Sequence, residues 1–291
     1  MTGLKVKILG ICASPRHANT ELAVKEALKT AESMGYAETE YLWLQDYEVK
    51  PCVGCMKCFG WRHPAEGGLE CYHHNDDSGK VLHKMDESDG VIFGTPVYTL
   101  GVTAIARLFM DKTHMFGPMS FTRYSGNMRN KPMGMITVGG GDEAGQEIVG
   151  EDLWAWAISM GMFSLGSWPT RQDPNPQSGS HGAYVSSCDA KGVYAKDAIT
   201  KEATRTIPPT KGWRNMKSIR NVGRHTAHVA MMAKLGKMRI QELGLKEPEV
   251  FPWPKYSVKP LKGSWIDKLI KEGKIEYKPK GQESAGVDLD D

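Results

Sequence analysis

Residues 10–21 read Gly-Ile-Cys-Ala-Ser-Pro-Arg-His-Ala-Asn-Thr-Glu, and this stretch decides the fold. A mostly apolar run, residues 4–9, precedes it, and a helical pattern follows it. A strand, a short polar loop and a helix N-terminus together make a site for an anion. Backbone N–H groups point out of such a loop, and the helix dipole adds partial positive charge. The sequence therefore predicts a phosphate-binding loop at the start of the first helix.

Four side chains of this loop suit a phosphate. Ser14, Asn19 and Thr20 offer short hydrogen-bonding groups, and Arg16 carries a full positive charge. The same segment alone would also suit a capped helix start without a ligand. The rest of the chain has to decide between the two.

The composition is that of a globular chain with a substantial core. The 291 residues suit one large domain or two small ones, and 40% of them are hydrophobic. A net charge of +3 is too small to indicate a nucleic-acid surface. No apolar run reaches the ~18 residues of a membrane span, and residues 1–5 show no signal-peptide pattern. We therefore expect a cytoplasmic protein.

Apolar runs typical of strands alternate with helical patterns along the first half of the chain. Strands are predicted near residues 5–11, 39–44, 90–95, 133–138 and 162–167, and a last core helix near 224–243. Such alternation indicates a parallel sheet covered by helices, with right-handed crossovers. We predict a flavodoxin-like, doubly wound α/β fold with five parallel strands in the order 2-1-3-4-5.

Two segments fall outside this core. We predict that residues 1–245 form the flavodoxin-like domain, interrupted by an insertion at about 170–222 that is rich in Pro, Gly and Ser. Prolines and aromatic residues interleave in 246–291. Because aromatic rings gain from burial, we expect this extended tail to pack on the core or on a partner subunit.

Three loops are expected to meet at one edge of the sheet. Ligands of open α/β sheets bind beyond the carboxyl ends of the strands, where the strand order reverses, here between strands 1 and 3. The loop after strand 3 contains Pro96, which fixes φ, and Tyr98, which can pack on a ring. The loop after strand 4 contains three successive glycines, 139–141, which allow close backbone approach.

One phosphate and one flat heterocycle fit FMN better than a dinucleotide. A dinucleotide site would need the G-x-G-x-x-G pattern after strand 1, and this chain lacks it. Each of the three loops has an ordinary structural explanation by itself. Their joint placement after strands 1, 3 and 4 favours a mononucleotide site.

These motifs resemble the NADPH-dependent FMN reductase family of the flavodoxin-like superfamily, over about residues 4–168. The resemblance implies that the first loop binds the FMN phosphate and that the other two contact the isoalloxazine. Carried over by position, the phosphate residues are Ser14, Arg16, Asn19 and Thr20. Those on one side of the ring are Pro96, Val97, Tyr98, Thr99 and Gly101, and those at its pyrimidine edge are Gly139, Gly140 and Gly141.

Four of the six cysteines lie within twenty residues of one another: Cys52, Cys55, Cys58 and Cys71. In a reducing compartment such a group indicates metal binding or redox chemistry rather than disulfides. A third thiol at C-x2-C spacing favours an iron–sulfur cube with four thiolate ligands. Zinc with a nearby histidine (His63, His73 or His74), a redox-active Cys52/Cys55 dithiol and metal-free thiols stay open.

Residues 51–77 look like the iron–sulfur flavoprotein branch of that family, which implies a [4Fe–4S] cluster on these four cysteines. Twelve residues separate Cys58 from Cys71, more than the branch usually shows. The intervening residues 61–70 have the composition of a loop, so the fourth cysteine can still close the site.

We predict an FMN-dependent oxidoreductase that carries electrons from NADH or NADPH to a quinone, flavin or protein acceptor, by way of the cluster if it is present. A second hypothesis is a non-enzymatic electron carrier, and a third is a metal-stabilised interaction module. The family resemblance also implies a homodimer or homotetramer.

Overall fold

The computed structural model describes residues 3–55, 58, 69–71, 73–117, 124, 126–141, 144–166, 181–187, 211–245 and 271–273, with only the backbone of 211–215. Cys188, His63 and nearly all of the predicted tail lie outside these residues. No helix in the described ranges is long and apolar enough to cross a membrane.

The described strands form one parallel sheet, and the predicted order is confirmed. The strands are β1 (Val6–Cys12), β2 (Ala37–Trp43), β3 (Gly90–Pro96), β4 (Pro132–Gly139), β5 (Phe163–Leu165) and β6 (Ala183–Ser186). The helices are α1 (Asn19–Glu32), α2 (Ser78–Glu87), α3 (Ala104–Met110), α4 (Gln146–Ser159) and α5 (Lys211–Glu242). The sheet runs β2-β1-β3-β4-β5, so the flavodoxin-like α/β architecture expected from the alternating patterns is present.

The fifth position of the sheet is shared by two short strands. β5 pairs with the first part of β4, at residues 132–134, and β6 continues along its second part, at 136–139. The sequence analysis missed β6, because four residues are too few to show a period and they lie in the range predicted as an insertion. Its position matters because β6 ends beside the loop that follows β4.

The core lies on both faces of the sheet. On one face β3 packs against α3 and α4, where the Phe93 and Trp156 rings stand 5.0 Å apart, edge to face. On the other face α1 and α5 cover β1, β3 and β4. β3 is buried along its whole length, which explains its unbroken apolar run.

The last helix begins at Lys211, well before the expected start near Arg224. Gly223 lies inside this helix. In the structure it permits a close approach of α5 to α1, since a Cβ at this position would lie 2.1 Å from the carbonyl oxygen of Ala27. The glycine is therefore explained by helix packing rather than by a helix end.

Candidate functional site

The loop between β1 and α1 is held from three directions. Ser14 closes it from within, because its Oγ donates to the Arg16 carbonyl (2.8 Å) and accepts from the Arg16 N–H (3.2 Å). Trp43, at the end of β2, donates from Nε1 to the Ser14 carbonyl (2.7 Å). Thr103, before α3, donates from Oγ1 to the Ala13 carbonyl (2.7 Å). These bonds fix the loop without any ligand.

The first turn of α1 has the character of an anion site. The residue at its N-cap is Ala18, and no side chain caps the helix there. Alanine is a poor N-cap, so the alternative of an ordinary capped helix start loses its support. An anion seated at this turn would satisfy the helix N–H groups and interact favourably with the dipole.

The charges beside this loop are mainly positive. Arg16 belongs to the loop, and His17 stacks on Trp43 with ring centroids 3.7 Å apart. Burial opposes ionisation of Glu21, but hydrogen bonds from Lys25 (2.5 Å) and His17 (2.8 Å) outweigh it, and the pKa of Glu21 is lowered.

Cys12 lies beneath the loop, and burial raises the pKa of its thiol to about 11. Cys12 therefore serves as a small buried apolar residue.

The loop after β3 is a tight hairpin with an unusual backbone. The N–H and carbonyl groups of Tyr98 and Gly101 pair reciprocally at 2.9 Å. The two residues between them have positive φ, 49° at Thr99 and 60° at Leu100, where Asn-Gly would be favoured. Non-glycine residues adopt this conformation at an energetic cost. The hairpin leaves Tyr98 (42% exposed) and Leu100 (58% exposed) at the edge of the sheet.

The glycine loop after β4 is organised by a side chain that the sequence analysis did not single out. Gln146, at the start of α4, donates from Nε2 to the carbonyls of Gly141 (2.6 Å) and Val185 (3.2 Å). Its Oε1 accepts from the Ala144 N–H (2.7 Å). Gln146 thereby ties this loop to β6.

The three glycines have different reasons to be glycine. A Cβ at Gly139 would stand 2.5 Å from the Gln146 side chain, so this glycine makes room for the residue that holds the loop. A Cβ at Gly140 or Gly141 would meet nothing within 4 Å. Those two positions therefore keep the backbone accessible beside open space, as a close approach to a ligand requires.

The three loops converge on one open pocket with about 490 Å³ of empty space, part of which is open to solvent. Its lining consists of Ser14, Arg16, Ala18, Asn19, Thr20, Pro96, Val97, Tyr98, Val138, Gly139, Gly140 and Ser187. All four predicted phosphate residues are among them. Thr99, Gly101 and Gly141 belong to the same loops but do not line the pocket.

Ser187 is a lining residue that the sequence analysis missed. It follows β6, and both its N–H (2.9 Å) and its Oγ (2.8 Å) donate to the Gly139 carbonyl. No sequence signal pointed to it, because β6 itself was not predicted. Val138 was missed as well, as a buried residue of an apolar strand.

The four clustered cysteines all lie in described positions, after β2 and before α2. Cys52 is exposed, and Cys55, Cys58 and Cys71 are half-buried. Burial, and then the charges of the other three thiols, raise the pKa of Cys58 to about 11. The other three thiols thus lie near enough to Cys58 to disfavour its ionisation.

Within the described ranges, no three His, Cys, Asp or Glu side chains converge tightly enough to hold a single metal ion. Two thiolates on one tetrahedral zinc ion would stand about 3.8 Å apart, from a Zn–S bond of ~2.3 Å. A four-iron cube is larger, and its ligands are spaced more widely. The donor set, four thiols in one loop, fits the cube better than a single ion.

The sequence family described as NADPH-dependent FMN reductase matches residues 6–172. An iron–sulfur flavoprotein of Methanocaldococcus jannaschii is 34% identical over 203 residues, which cover 69% of this chain and 93% of that protein. An iron–sulfur flavoprotein of Archaeoglobus fulgidus is 30% identical over 160 residues, 55% of this chain and 72% of that protein. A solved structure of RosB with bound 8-demethyl-8-formylriboflavin-5′-phosphate shares the fold, with a TM-score of 0.54, 17% identity and coverage of 84% of this chain and 89% of that one.

Proposed function

The chain belongs to the NADPH-dependent FMN reductase family, in its iron–sulfur flavoprotein branch, and from this premise we propose how it works. It takes electrons from NADH or NADPH and passes them to a quinone, a flavin or a protein acceptor. The observation that carries the proposal is the single pocket formed by the loops after β1, β3 and β4. FMN, when bound, supplies two-electron chemistry that amino-acid side chains do not offer.

The phosphate end of the pocket is the loop before α1. Arg16 provides a charge-assisted hydrogen bond, and the uncapped first turn of α1 provides dipole and N–H groups. Trp43 and Thr103 keep this loop in place through its carbonyls, so little ordering is needed on binding.

The ring end of the pocket lies between the two other loops. Tyr98 offers an aromatic surface from the hairpin, and Gly139 and Gly140 offer backbone groups from the opposite side. The loops are joined to each other, since the Val97 N–H donates to the Val138 carbonyl at 2.9 Å. Together they orient a planar group and shield one part of it from water.

We assign Cys52, Cys55, Cys58 and Cys71 to a [4Fe–4S] cluster. Their loop begins after β2, which pairs with β1, so it leaves the sheet from the same carboxyl edge as the FMN loops. A cluster at this edge would exchange single electrons with an outside partner, while the flavin site exchanges pairs with a nicotinamide.

The test is anaerobic purification followed by spectroscopy and turnover. We expect one FMN and four irons per chain, and steady-state oxidation of NADH or NADPH once an acceptor is added. A protein that binds FMN and iron but does not oxidise either nicotinamide would favour the electron-carrier hypothesis. A protein that takes up no FMN would overturn the proposal.

We also propose that the chain forms a homo-oligomer. Helix α4 exposes Ile148, Trp154 and Ile158, and Phe163 of β5 is exposed as well. Exposed apolar patches mark interfaces. A second copy of the chain covering this face is the arrangement we expect.

A further inference from the structure

A lysine lies buried beside the fourth cysteine. The side chain of Lys112, which follows α3, is 3% exposed. Its Nζ lies 3.1 Å from Cys71 Sγ and 3.1 Å from Asp76 Oδ2. Lysine is almost never fully buried without a partner, because removing its charge from water is expensive. The position of Lys112 therefore calls for an explanation.

Asp76 holds the lysine in place. Its carboxylate is fully buried and accepts hydrogen bonds from the Ser78 hydroxyl (2.5 Å), the Ser78 N–H (3.1 Å) and the Lys50 N–H (3.0 Å). Burial opposes its ionisation, but these bonds and Lys112 outweigh burial, and the pKa of Asp76 is lowered. Asp76 Oδ2 accepts one N–H bond of the Lys112 ammonium. A second N–H bond of the same ammonium is directed at Cys71 Sγ.

The sulfur of Cys71 receives a second donor as well. The His74 N–H points to it at 3.4 Å. A neutral thiol is a weak acceptor, whereas an anionic sulfur attracts donors strongly. The Lys112 ammonium and the His74 N–H therefore converge on this one sulfur.

We propose that Lys112, fixed by Asp76, holds Cys71 as the anionic fourth ligand of the cluster and raises the cluster's reduction potential. The inference rests on the proposed function, since it takes these four cysteines as ligands. Lys112 is a positioning residue that acts through Cys71. It lies on a different element from the cysteine loop, so it explains how a cysteine separated from Cys58 by twelve residues is kept at the site.

The effect on potential follows from charge. One-electron reduction makes the cluster and its thiolates more negative, and an ammonium at hydrogen-bond distance from one ligand stabilises that state. Without the charge, the ratio of reduced to oxidised cluster at a fixed potential should fall about tenfold, which is about 59 mV for a one-electron couple.

The test compares Lys112→Gln with Lys112→Arg. Glutamine can still hydrogen-bond Asp76 and Cys71 but carries no charge, whereas arginine keeps the charge. After anaerobic reconstitution with iron and sulfide, iron content and an EPR-monitored redox titration are measured for each. We expect Lys112→Gln to retain iron with about the tenfold shift, and Lys112→Arg to stay within about twofold of the parent. A Lys112→Gln cluster that titrates like the parent would overturn the proposal.

Two further measurements keep the outcomes separate. If Lys112→Gln does not fold by circular dichroism, the Asp76→Asn/Lys112→Gln double variant removes both buried charges. A smaller downward shift is then expected, because loss of the Asp76 carboxylate offsets part of the lost positive charge. If the parent chain takes up no iron, the cluster assignment itself fails, whereas a Lys112→Gln cluster that titrates like the parent overturns only the role of Lys112.

Discussion

Gln146 and Gly139 should behave as one packing unit. In the structure Gln146 is 2% exposed and makes three hydrogen bonds, to the Gly141 and Val185 carbonyls and from the Ala144 N–H. At about 1 kcal/mol of net stability for each bond, Gln146→Ala should lower the free energy of unfolding by about 3 kcal/mol. The loop after β4 also loses its anchor, so we expect FMN to bind about tenfold more weakly.

The partner substitution gives the sharper measurement. In the parent chain, Gly139→Ala puts a Cβ 2.5 Å from the Gln146 side chain, and such overpacking costs about 1–3 kcal/mol. In the Gln146→Ala background that side chain is gone, and the alanine should be tolerated. We therefore expect a favourable coupling of about 1–2 kcal/mol in the double-mutant cycle.

The assay is urea denaturation of the flavin-free protein at 25 °C, for the parent, both single variants and the double variant. Using flavin-free protein separates packing from any direct contact between Gly139 and the ligand. If Gly139→Ala costs the same in both backgrounds, the steric explanation of this glycine is wrong. If Gln146→Ala lowers stability but leaves the dissociation constant for FMN unchanged, the loop it holds is not part of the flavin site.

Four other substitutions test separate parts of the account. Arg16→Ala should weaken FMN binding by about 1.5–3 kcal/mol in a fluorescence titration, whereas Arg16→Lys should recover part of the loss. Thr99→Gly relieves a positive φ of 49° and should raise the free energy of unfolding by about 1 kcal/mol, with Thr99→Ala as the control that keeps the strain. The pKa of Glu21 is lower in the folded protein than in the unfolded chain, so the Glu21 carboxylate stabilises the fold at pH values above its unfolded pKa. That stabilisation is lost as the pH falls through the folded-state pKa. Glu21→Gln should lower the free energy of unfolding by about 0.5–1 kcal/mol at pH 7, a small amount because the two partners of Glu21 are largely exposed. In acid, where Glu21 is protonated, the substitution should have no effect. Ile158→Glu should reduce the oligomer mass in light scattering, and an unchanged mass would place the interface elsewhere.

The strand order and the convergence of the loops were predictable from the sequence. The apolar run of β3 is long and buried on both faces, and the loop after β1 has a composition that suits few other roles. Once β1 and β3 are placed in a parallel sheet, their carboxyl ends lie at the same edge, so the loops that follow them meet there. Local pattern and global topology agree in this part of the chain, which is why the inference succeeded.

The contributions of β6, Gln146 and Lys112 were not predictable in the same way. β6 is four residues long and gains its stability from pairing with β4, which no local pattern reveals. Gln146 and Lys112 are polar residues that sequence patterns place at a surface, and both are buried beside partners far away along the chain, which are Val185 for Gln146 and Cys71 and Asp76 for Lys112.

The most direct test of the central claim, that the three loops form one FMN pocket, is a binding titration of the flavin-free protein with FMN and with riboflavin. The account predicts one FMN per chain, and riboflavin, which lacks the phosphate, bound about 100-fold more weakly, a loss of about 2.7 kcal/mol. Equal affinity for the two flavins, or no binding of FMN, would contradict it.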